Sequence, residues 1–371
     1  MIVAALPPPD RILVARGPGE TRYALTAGET LVEVVHHRDN ALLPGQVRFA
    51  RIGAPAPGMQ AVFAGLGEVT GLIKMNPPYL AEGAGIAATV VVPPRAGKNA
   101  ELALAPDVPV PADGKPGALL APAPDPAAAW WRLHGTTVKE VVCTPRAEAA
   151  RLKDLLEAPV TVHAGPDNLF AGVDASIAEA LEPIVPLTCG GTLIIESTAA
   201  AICIDVNAGP ADADTANGDA LAAVARALRL RNLAGHILVD CIPTRRKAAL
   251  PRLLGGLTSG DPMDVRVAGL TPLGMLELTR RRVGLSLAET LCDAAGRPSA
   301  ETIALHALRD AVRFAFSAKA AHVALDVSAE VAQALDGLAG ALAEAGDMIK
   351  GEIRLTARPD FARARFEFNA A

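Results

Sequence analysis

Apolar and polar residues alternate along the start of the chain. Ile12, Val14 and Arg16 are followed by a Gly-Pro-Gly stretch, then by Tyr23-Ala24-Leu25 and Leu31-Val32-Glu33-Val34-Val35. A period of two predicts strands, with Gly17 to Glu20 as a hairpin turn. From Gly45 the rhythm shortens. GQVRFARI, GMQAVFAGL, VTGLIKM, AATVVVPP and AELALAP are each bounded by turn residues. Five short strands within about 60 residues suit a small OB-type barrel. Prolines spaced through Asp107 to Pro126 predict an extended, poorly regular linker.

Beyond the linker the pattern mixes. VKEVVC reads as a strand, and RAEAARLKDLLEA and VDASIAEALEP as helices, the second opening at an Asp174 cap. GGTLIIES and AAAICIDVNAG read as a hairpin. Gly218 to Arg231 has Leu221, Val224, Ala225 and Leu228 at helical spacing, and HILVDCI is a further strand. The order strand, helix, strand makes the two flanking strands parallel and adjacent. The last part reads α/β: ETIALHALRDAVRFAF a helix, HVALDV a strand, EVAQALDGLAGALAEAG a helix, GEIRLTA and RARFEF strands.

Composition narrows this picture. A length of 371 residues suggests two or three domains. With 51% hydrophobic, 20% charged and only 3% aromatic residues, the chain folds around an aliphatic, alanine-rich core. A net charge of −5 excludes an indiscriminate nucleic-acid binder but leaves room for a local basic channel. The N-terminus has no basic region before an apolar run, and no uninterrupted apolar stretch reaches about 18 residues. No secretion and no membrane span are expected. The five cysteines form no CxxC pair, which fits a reducing cytoplasm.

The sharpest candidate chemistry is Asp205, Asn207 and Asp240. Each aspartate ends an apolar strand, in Ile-Cys-Ile-Asp-Val-Asn and Ile-Leu-Val-Asp. Charges in buried strands need partners. Neighbouring strands lie about 4.8 Å apart, so two carboxylates at matching heights can share a hard divalent cation such as Mg²⁺. Asn207, two residues from Asp205, faces the same way. The alternative is that each aspartate only starts a loop. Around this pair, Arg226 to Arg282 holds eleven Lys or Arg against Asp240, Asp261, Asp264 and Glu277. Such asymmetry suits a polyanion partner; the alternative is a solvated helix face, which is the better reading for Arg280 to Arg282 taken alone. In the barrel region Phe63 could stack on a base, with Arg48, Arg51, Lys74 and Lys98 near it in sequence, although Phe49 and Phe63 also suit a core. His236, Cys203 and Cys241 read as packing residues.

Several of these segments resemble the RNase E/G family of bacterial endoribonucleases. They are Gly190-Gly191-Thr-Leu-Ile-Ile-Glu-Ser-Thr, Ile204-Asp205-Val206-Asn207, Arg226-Ala-Leu-Arg-Leu-Arg-Asn-Leu-Ala-Gly235, Ile237-Leu-Val-Asp240 and Leu273-Gly-Met-Leu-Glu-Leu-Thr-Arg-Arg-Arg282. Gly45-Gln-Val-Arg-Phe-Ala-Arg-Ile with Pro57-Gly-Met-Gln-Ala-Val-Phe63 looks like the family's S1 domain, and Ile353 to Phe361 is similar to its C-terminal region.

The resemblance implies an α/β chain: an RNase H-like catalytic domain with an inserted S1 (OB-fold) β-barrel and a small α/β C-terminal region. Its boundaries would be 1–42 for N-terminal strands of the RNase H-like domain and 43–106 for the S1 domain. The catalytic domain, with a shortened 5′-sensor region, would take 107–290, and the C-terminal region 291–371. It implies Mg²⁺-dependent cleavage of single-stranded RNA to 5′-phosphate and 3′-hydroxyl ends, in RNA processing or decay in the cytoplasm. Asp205 and Asp240 would hold the ion, and Asn207 would support the scissile phosphate or the Asp205 geometry. Phe63, Arg48, Lys74, Lys98, Arg226 and Arg229 would contact RNA.

The chain departs from the family in four places. Cys292-Asp-Ala-Ala295 keeps one cysteine of the zinc-linking Cys-Pro-x-Cys motif, so a homodimer, if formed, is not expected to be zinc-linked. The segment carrying the 5′-monophosphate pocket is missing or shortened between Leu119 and Val160. Leu72 stands for the second S1 aromatic, and Ala199 for an acidic residue before the Asp205 strand. The competing readings are a non-catalytic RNA-binding protein derived from this fold, and an S1-containing assembly or ribosome-associated factor.

Overall fold

The computed structural model describes residues 7–74, 80–95, 97–163 and 168–370. They fall into two compact units. One holds Leu42–Asp125 and Glu179–Ser286; the other holds Pro8–Ala41, Pro126–Ala178 and Leu287–Ala371. Strands β1 (Arg11–Gly17), β2 (Glu20–Ala27) and β3 (Thr30–Arg38) form an antiparallel meander in the second unit.

The chain then builds a barrel in the first unit from β4 (Val47–Pro55), β5 (Ala61–Leu66), β6 (Val69–Lys74), β7 (Gly85–Val92) and β8 (Ala100–Leu104). The strand order β5-β6-β8-β7-β4 closes through a β4–β5 pairing, a five-stranded closure consistent with an S1/OB-like domain. Its interior is Ala50, Ile52, Val62, Ala64, Leu66, Ile73, Ala88, Val90, Ala100 and Leu102. Small and large residues mix there because a five-stranded barrel is narrow.

The expected linker is more ordered than its prolines suggest. β9 (Leu119–Ala121) pairs antiparallel with β4. The backbone N–H groups of Phe49 and Gly117 donate to the Ala118 (2.8 Å) and Phe49 (2.9 Å) carbonyls. A Cβ at Gly114 would overlap the Phe49 ring, so this segment lies directly on that ring and buries it. Proline spacing registers missing donors; it does not register a backbone lying on an aromatic face.

In the second unit, α1 (Pro126–His134), β10 (Glu140–Thr144), α2 (Ala147–Leu156) and β11 (Thr161–Val162) return to the meander. The sheet order is β11-β10-β1-β2-β3, with β10 parallel to β1 and to β11. Helix α3 (Ala171–Leu181) comes next. Asp174 is not its cap. The helix starts three residues earlier, and the Asp174 carboxylate takes Arg22 Nη1 (2.5 Å) and Asn168 Nδ2 (2.8 Å). Buried Arg22 drew this carboxylate into a pairing that local pattern could not show.

A second, separate sheet carries the candidate chemistry. Strands β12 (Ile184–Pro186), β13 (Thr192–Ser197), β14 (Ile202–Asn207), β15 (Gly235–Asp240), β16 (Val265–Leu270) and β17 (Leu276–Arg280) take the order β12-β13-β14-β15-β17-β16. The N-terminal strands and the strands that carry Asp205 and Asp240 thus lie in different sheets. β1–β3 pair with β10, not with the strands of Asp205 and Asp240. Which distant strands pair is a tertiary choice that strand periodicity does not encode.

Helices α4 (Ala213–Leu230) and α5 (Leu250–Thr258) cover one face of this sheet. Helix α4 is longer than its apolar spacing predicts. Asp212 caps it, accepting from the Asp214 and Thr215 amides at 3.0 and 3.1 Å. Leu221, Val224 and Leu228 are fully buried against Ile204, Val206, Ile237 and Val239. Each such side chain contributes about 1.5–3 kcal/mol by leaving water.

The C-terminal segment, in the second unit, is α6 (Leu287–Leu291), α7 (Ala300–Ala318), β18 (His322–Ser328), α8 (Ala329–Gly337), α9 (Ala339–Ile349), β19 (Glu352–Arg358) and β20 (Phe366–Ala370). Its three strands form a small sheet, β19-β18-β20. The single helix expected from Glu330 is two, broken at Leu338. No helix among the described residues is long and apolar enough to cross a membrane.

Candidate active site

Strand β14 alternates strictly. Ile202, Ile204 and Val206 face the helices, while Cys203, Asp205 and Asn207 face the other way. Strand β15 does the same, with Ile237 and Val239 inward and His236, Leu238 and Asp240 outward. The two strands are parallel, and their register sets Asp205 opposite Asp240. Both carboxylates are exposed, on the sheet face that the helices leave uncovered. Asn207 Nδ2 donates to Asp205 Oδ2 at 3.0 Å, so the amide orients that carboxylate. The three residues thus stand together at the carboxyl ends of two parallel strands.

Glycines let the surrounding backbone approach this closely. A Cβ at Gly191 would overlap the Asn207 carbonyl oxygen, and one at Gly209 would overlap the Gly190 carbonyl. Gly209 also has φ +59°, which favours glycine. The Gly-Gly and Asn-Ala-Gly motifs therefore let two loops cross beside the site.

The donor set suits a hard cation. Mg²⁺ is held by one or two carboxylates and keeps several waters. Two exposed carboxylates in register, with an amide behind one of them, meet that requirement. Among the described residues there is no group of three or more His, Cys, Asp or Glu side chains placed to hold a metal. Cys241, beside Asp240, is not a thiolate ligand candidate: burial, then the Asp240 charge, pushes its thiol up to about 11.

The basic span is largely committed elsewhere. Arg280 is buried, with Nε on Asp261 (2.9 Å) and Nη1 on Asn232 Oδ1 (2.8 Å) and the Leu233 carbonyl (3.1 Å). Arg231 and Arg282 donate to the Glu182 and Ala234 carbonyls, each at 2.8 Å. Arg226 and Arg229 ride on α4, which covers the face opposite the carboxylates. The structure does not bring them to Asp205. Arg245, Arg246, Lys247 and Arg252 are exposed just past β15.

On the barrel, Phe63 is half-buried and points outward, directly opposite Leu72. Lys74 ends β6 on the same outward face and is exposed, as is Lys98 beyond it in sequence. Arg51 is exposed and donates to the Gly83 carbonyl (2.9 Å). Arg48 is committed to structure: it donates to Gln46 Oε1 (2.8 Å) and the Gly117 carbonyl (2.9 Å), and burial lowers its pKa. Phe63, Leu72 and Lys74 therefore form one surface on the second and third barrel strands, the face on which OB folds take oligonucleotides.

One residue escaped sequence reasoning. Asn217 on α4 is fully buried, and its amide binds both backbone groups of Ile242. Asn217 lies one residue before the helix that the apolar spacing predicts from Gly218, so no sequence signal marked it.

Comparison with known proteins matches residues 131–283 to the Ribonuclease E/G family. The chain is similar to Ribonuclease G of Salmonella typhimurium (strain SL1344), 32% identical over 214 residues, covering 53% of this chain and 44% of that protein. It is similar to Ribonuclease G of Haemophilus influenzae, 36% identical over 160 residues, covering 38% and 33%. It is also similar to Ribonuclease E of Nostoc sp. (strain PCC 7120), 38% identical over 132 residues, covering 33% and 19%. The chain spans less than half the length of the curated relatives it matches.

Proposed function

Through residues 131–283 the chain belongs to the Ribonuclease E/G family, and we propose that it is an endoribonuclease that hydrolyses single-stranded RNA with Mg²⁺, leaving 5′-phosphate and 3′-hydroxyl ends. The single observation that carries the reading is the register of Asp205 on Asp240, both exposed on the open sheet face. Asp205 and Asp240 would hold the ion, and Asn207 would fix the Asp205 carboxylate. When bound, a divalent cation makes a water nucleophilic near neutral pH and neutralises charge growing on the phosphate oxygens.

The protein's own groups do the rest. The open sheet face gives an extended strand access to the carboxylates. Asn207 holds one of them by a hydrogen bond, and so limits the reorganisation needed when phosphate arrives. Phe63 offers a ring for a base, and Lys74 and Lys98 offer charges for phosphates, so the barrel would hold the strand that the carboxylates cut. The exposed Arg245 to Lys247 run supplies further phosphate contacts; Arg48 supports the barrel from beneath.

The test uses an end-labelled, A/U-rich single-stranded RNA, with Mg²⁺ or EDTA, beside Asp205→Ala and Asp240→Ala. Internal cleavage that requires Mg²⁺ and vanishes in both variants is expected, with product ends that a 5′-phosphate-dependent exonuclease can degrade. RNA bound equally by all three proteins and cut by none would overturn the reading in favour of a non-catalytic binder.

A further inference from the structure

Strand β15 ends at Asp240, and the chain beyond it is held on α4. Asn217 Nδ2 donates to the Ile242 carbonyl at 2.8 Å, and the Ile242 N–H donates to Asn217 Oδ1 at 2.9 Å. One buried side chain therefore satisfies both backbone groups of a single residue, two positions past the carboxylate. Asp214 lies three residues earlier in α4, on the same helix face. Its Oδ1 accepts from the Thr244 hydroxyl at 2.5 Å. The Thr244 oxygen in turn accepts from the Arg246 N–H at 3.1 Å. The Cys241 and Ile242 side chains pack against the core cluster to which α4 contributes.

Nothing in helix formation calls for an asparagine at 217; in a helix interior it is a poorer former than alanine. A buried amide is costly unless its donors and acceptor are met. Here the amide is matched to the peptide groups of Ile242, as donor and as acceptor. Asp205 has Asn207 to hold its carboxylate. Asp240 ends its strand without such a neighbour two residues on, where Ile242 stands instead. The position of Asp240 depends on where its chain goes next.

We propose that Asn217, with the Asp214–Thr244 pair beside it, is a positioning residue that sets the height of Asp240 against Asp205, and so the affinity of the site for a divalent ion. The inference rests on the metal–carboxylate reading above. It assigns α4 a second task. Its apolar face fills the core, and its Asp214–Asn217 edge fixes the chain that leaves one of the two carboxylates.

The experiment measures direct uptake of Mn²⁺, read from the loss of the free-ion paramagnetic resonance signal, in the full chain without RNA. Wild type, Asp240→Ala, Asn217→Ala, Asn217→Asp and Thr244→Val are compared. Asn217→Ala is expected to weaken Mn²⁺ binding by about 10-fold or more, the size of loss seen when groups behind metal ligands are removed. Asn217→Asp keeps an acceptor for the Ile242 N–H but sets a buried carboxylate oxygen against the Ile242 carbonyl, so it should not recover the loss. Thr244→Val should show a smaller loss in the same direction. Metal-free RNA binding, measured by fluorescence anisotropy, should be unchanged in Asn217→Ala and Thr244→Val. Wild-type Mn²⁺ affinity in Asn217→Ala overturns the proposal, even if the variant is less stable. If Asn217→Ala does not fold, unchanged affinity in Thr244→Val overturns it. A wild-type protein that takes up no Mn²⁺ sinks the metal reading itself, and this inference with it.

Discussion

Replacing Glu20 with glutamine tests the electrostatics of the second unit. The Glu20 side chain is 2% exposed. It faces His36 Nδ1 at 3.0 Å, Arg309 Nη1 at 2.8 Å and Arg38 Nε at 3.4 Å. Burial pushes its carboxyl up, but His36, then Arg309 and Arg38, outweigh burial and hold it well below the ordinary 4.5. Arg309 depends on this charge. Burial, aided by Arg22, lowers its guanidinium to about 10, against the pull of Glu20, and its Nε has no partner among the described residues. Removing one member of a buried ion pair costs about 3–5 kcal/mol. Glutamine keeps an acceptor oxygen, so Glu20→Gln should cost about 3 kcal/mol at pH 7. A folded pKa below the unfolded one means that this stabilisation is complete above pH 4.5 and is lost as pH falls. One unit below the unfolded pKa, at about pH 3.5, the wild type should have lost about 1.4 kcal/mol from this group, while Glu20→Gln loses none of it. The gap between the two proteins should therefore shrink to about half on acidification. Trp130 and Trp131 are the chain's two tryptophans and both sit in α1 of the same unit. Their fluorescence during urea unfolding at about pH 7 and about pH 3.5 reports the unit in question. Equal stability at neutral pH, or a gap that widens in acid, would refute the reasoning.

Four further outcomes are expected. Phe63→Ala should weaken binding of single-stranded RNA by about 1–3 kcal/mol in an anisotropy titration; unchanged affinity would remove the barrel face from RNA recognition. Leu72→Phe places a second ring opposite the first, given their pairing across β5 and β6, and should tighten binding in the same titration. Asp261→Ala strands buried Arg280 and should cost about 3–5 kcal/mol in urea unfolding, whereas the double change Asp261→Leu with Arg280→Met should recover most of that. Asp212→Ala should lower the urea midpoint by uncapping α4, while Asp212→Asn, which keeps the acceptor, should not.

The parts of this molecule that were legible in its sequence share one property: they depend on neighbours along the chain. The outward placement of Asp205 and Asn207 comes from strand alternation. Their meeting with Asp240 comes from a strand, a helix of fixed length and a strand, a unit with one favoured hand. The barrel was legible because turn residues mark out its short strands. The commitments of the arginines were not. Arg280 reaches Asp261 and Asn232, and Arg48 reaches Gln46 and Gly117. Only the fold brings these partners within reach, so a count of charges between Arg226 and Arg282 overstated what is available to a phosphate. The segment from Asp107 to Pro126 misled for a similar reason. Its Gly114 serves a close approach to the Phe49 ring, and its Gly117 one to the Leu66 carbonyl, that no local pattern records.

The placement of the site reflects the same economy. A parallel pair of strands delivers its carboxyl ends to one edge, where the chain must turn back and backbone groups lose their ladder partners. At that edge Ile242 would leave both its N–H and its carbonyl without strand partners, and Asn217 supplies both. Asp205 and Asp240 are thereby held at an edge whose backbone is satisfied from behind, by the helix that covers the opposite face. Carboxylates placed in this way need no buried charge partner, because water reaches them, and they keep an open side toward substrate. On the proposed reading, the cost of assembling two like charges at adjacent positions is carried by solvent until a cation takes its place. Replacing both aspartates by asparagine should accordingly raise stability slightly in metal-free buffer while abolishing Mn²⁺ uptake. Two aspartates that stabilised the metal-free fold would instead mark the pair as a structural element, not a site.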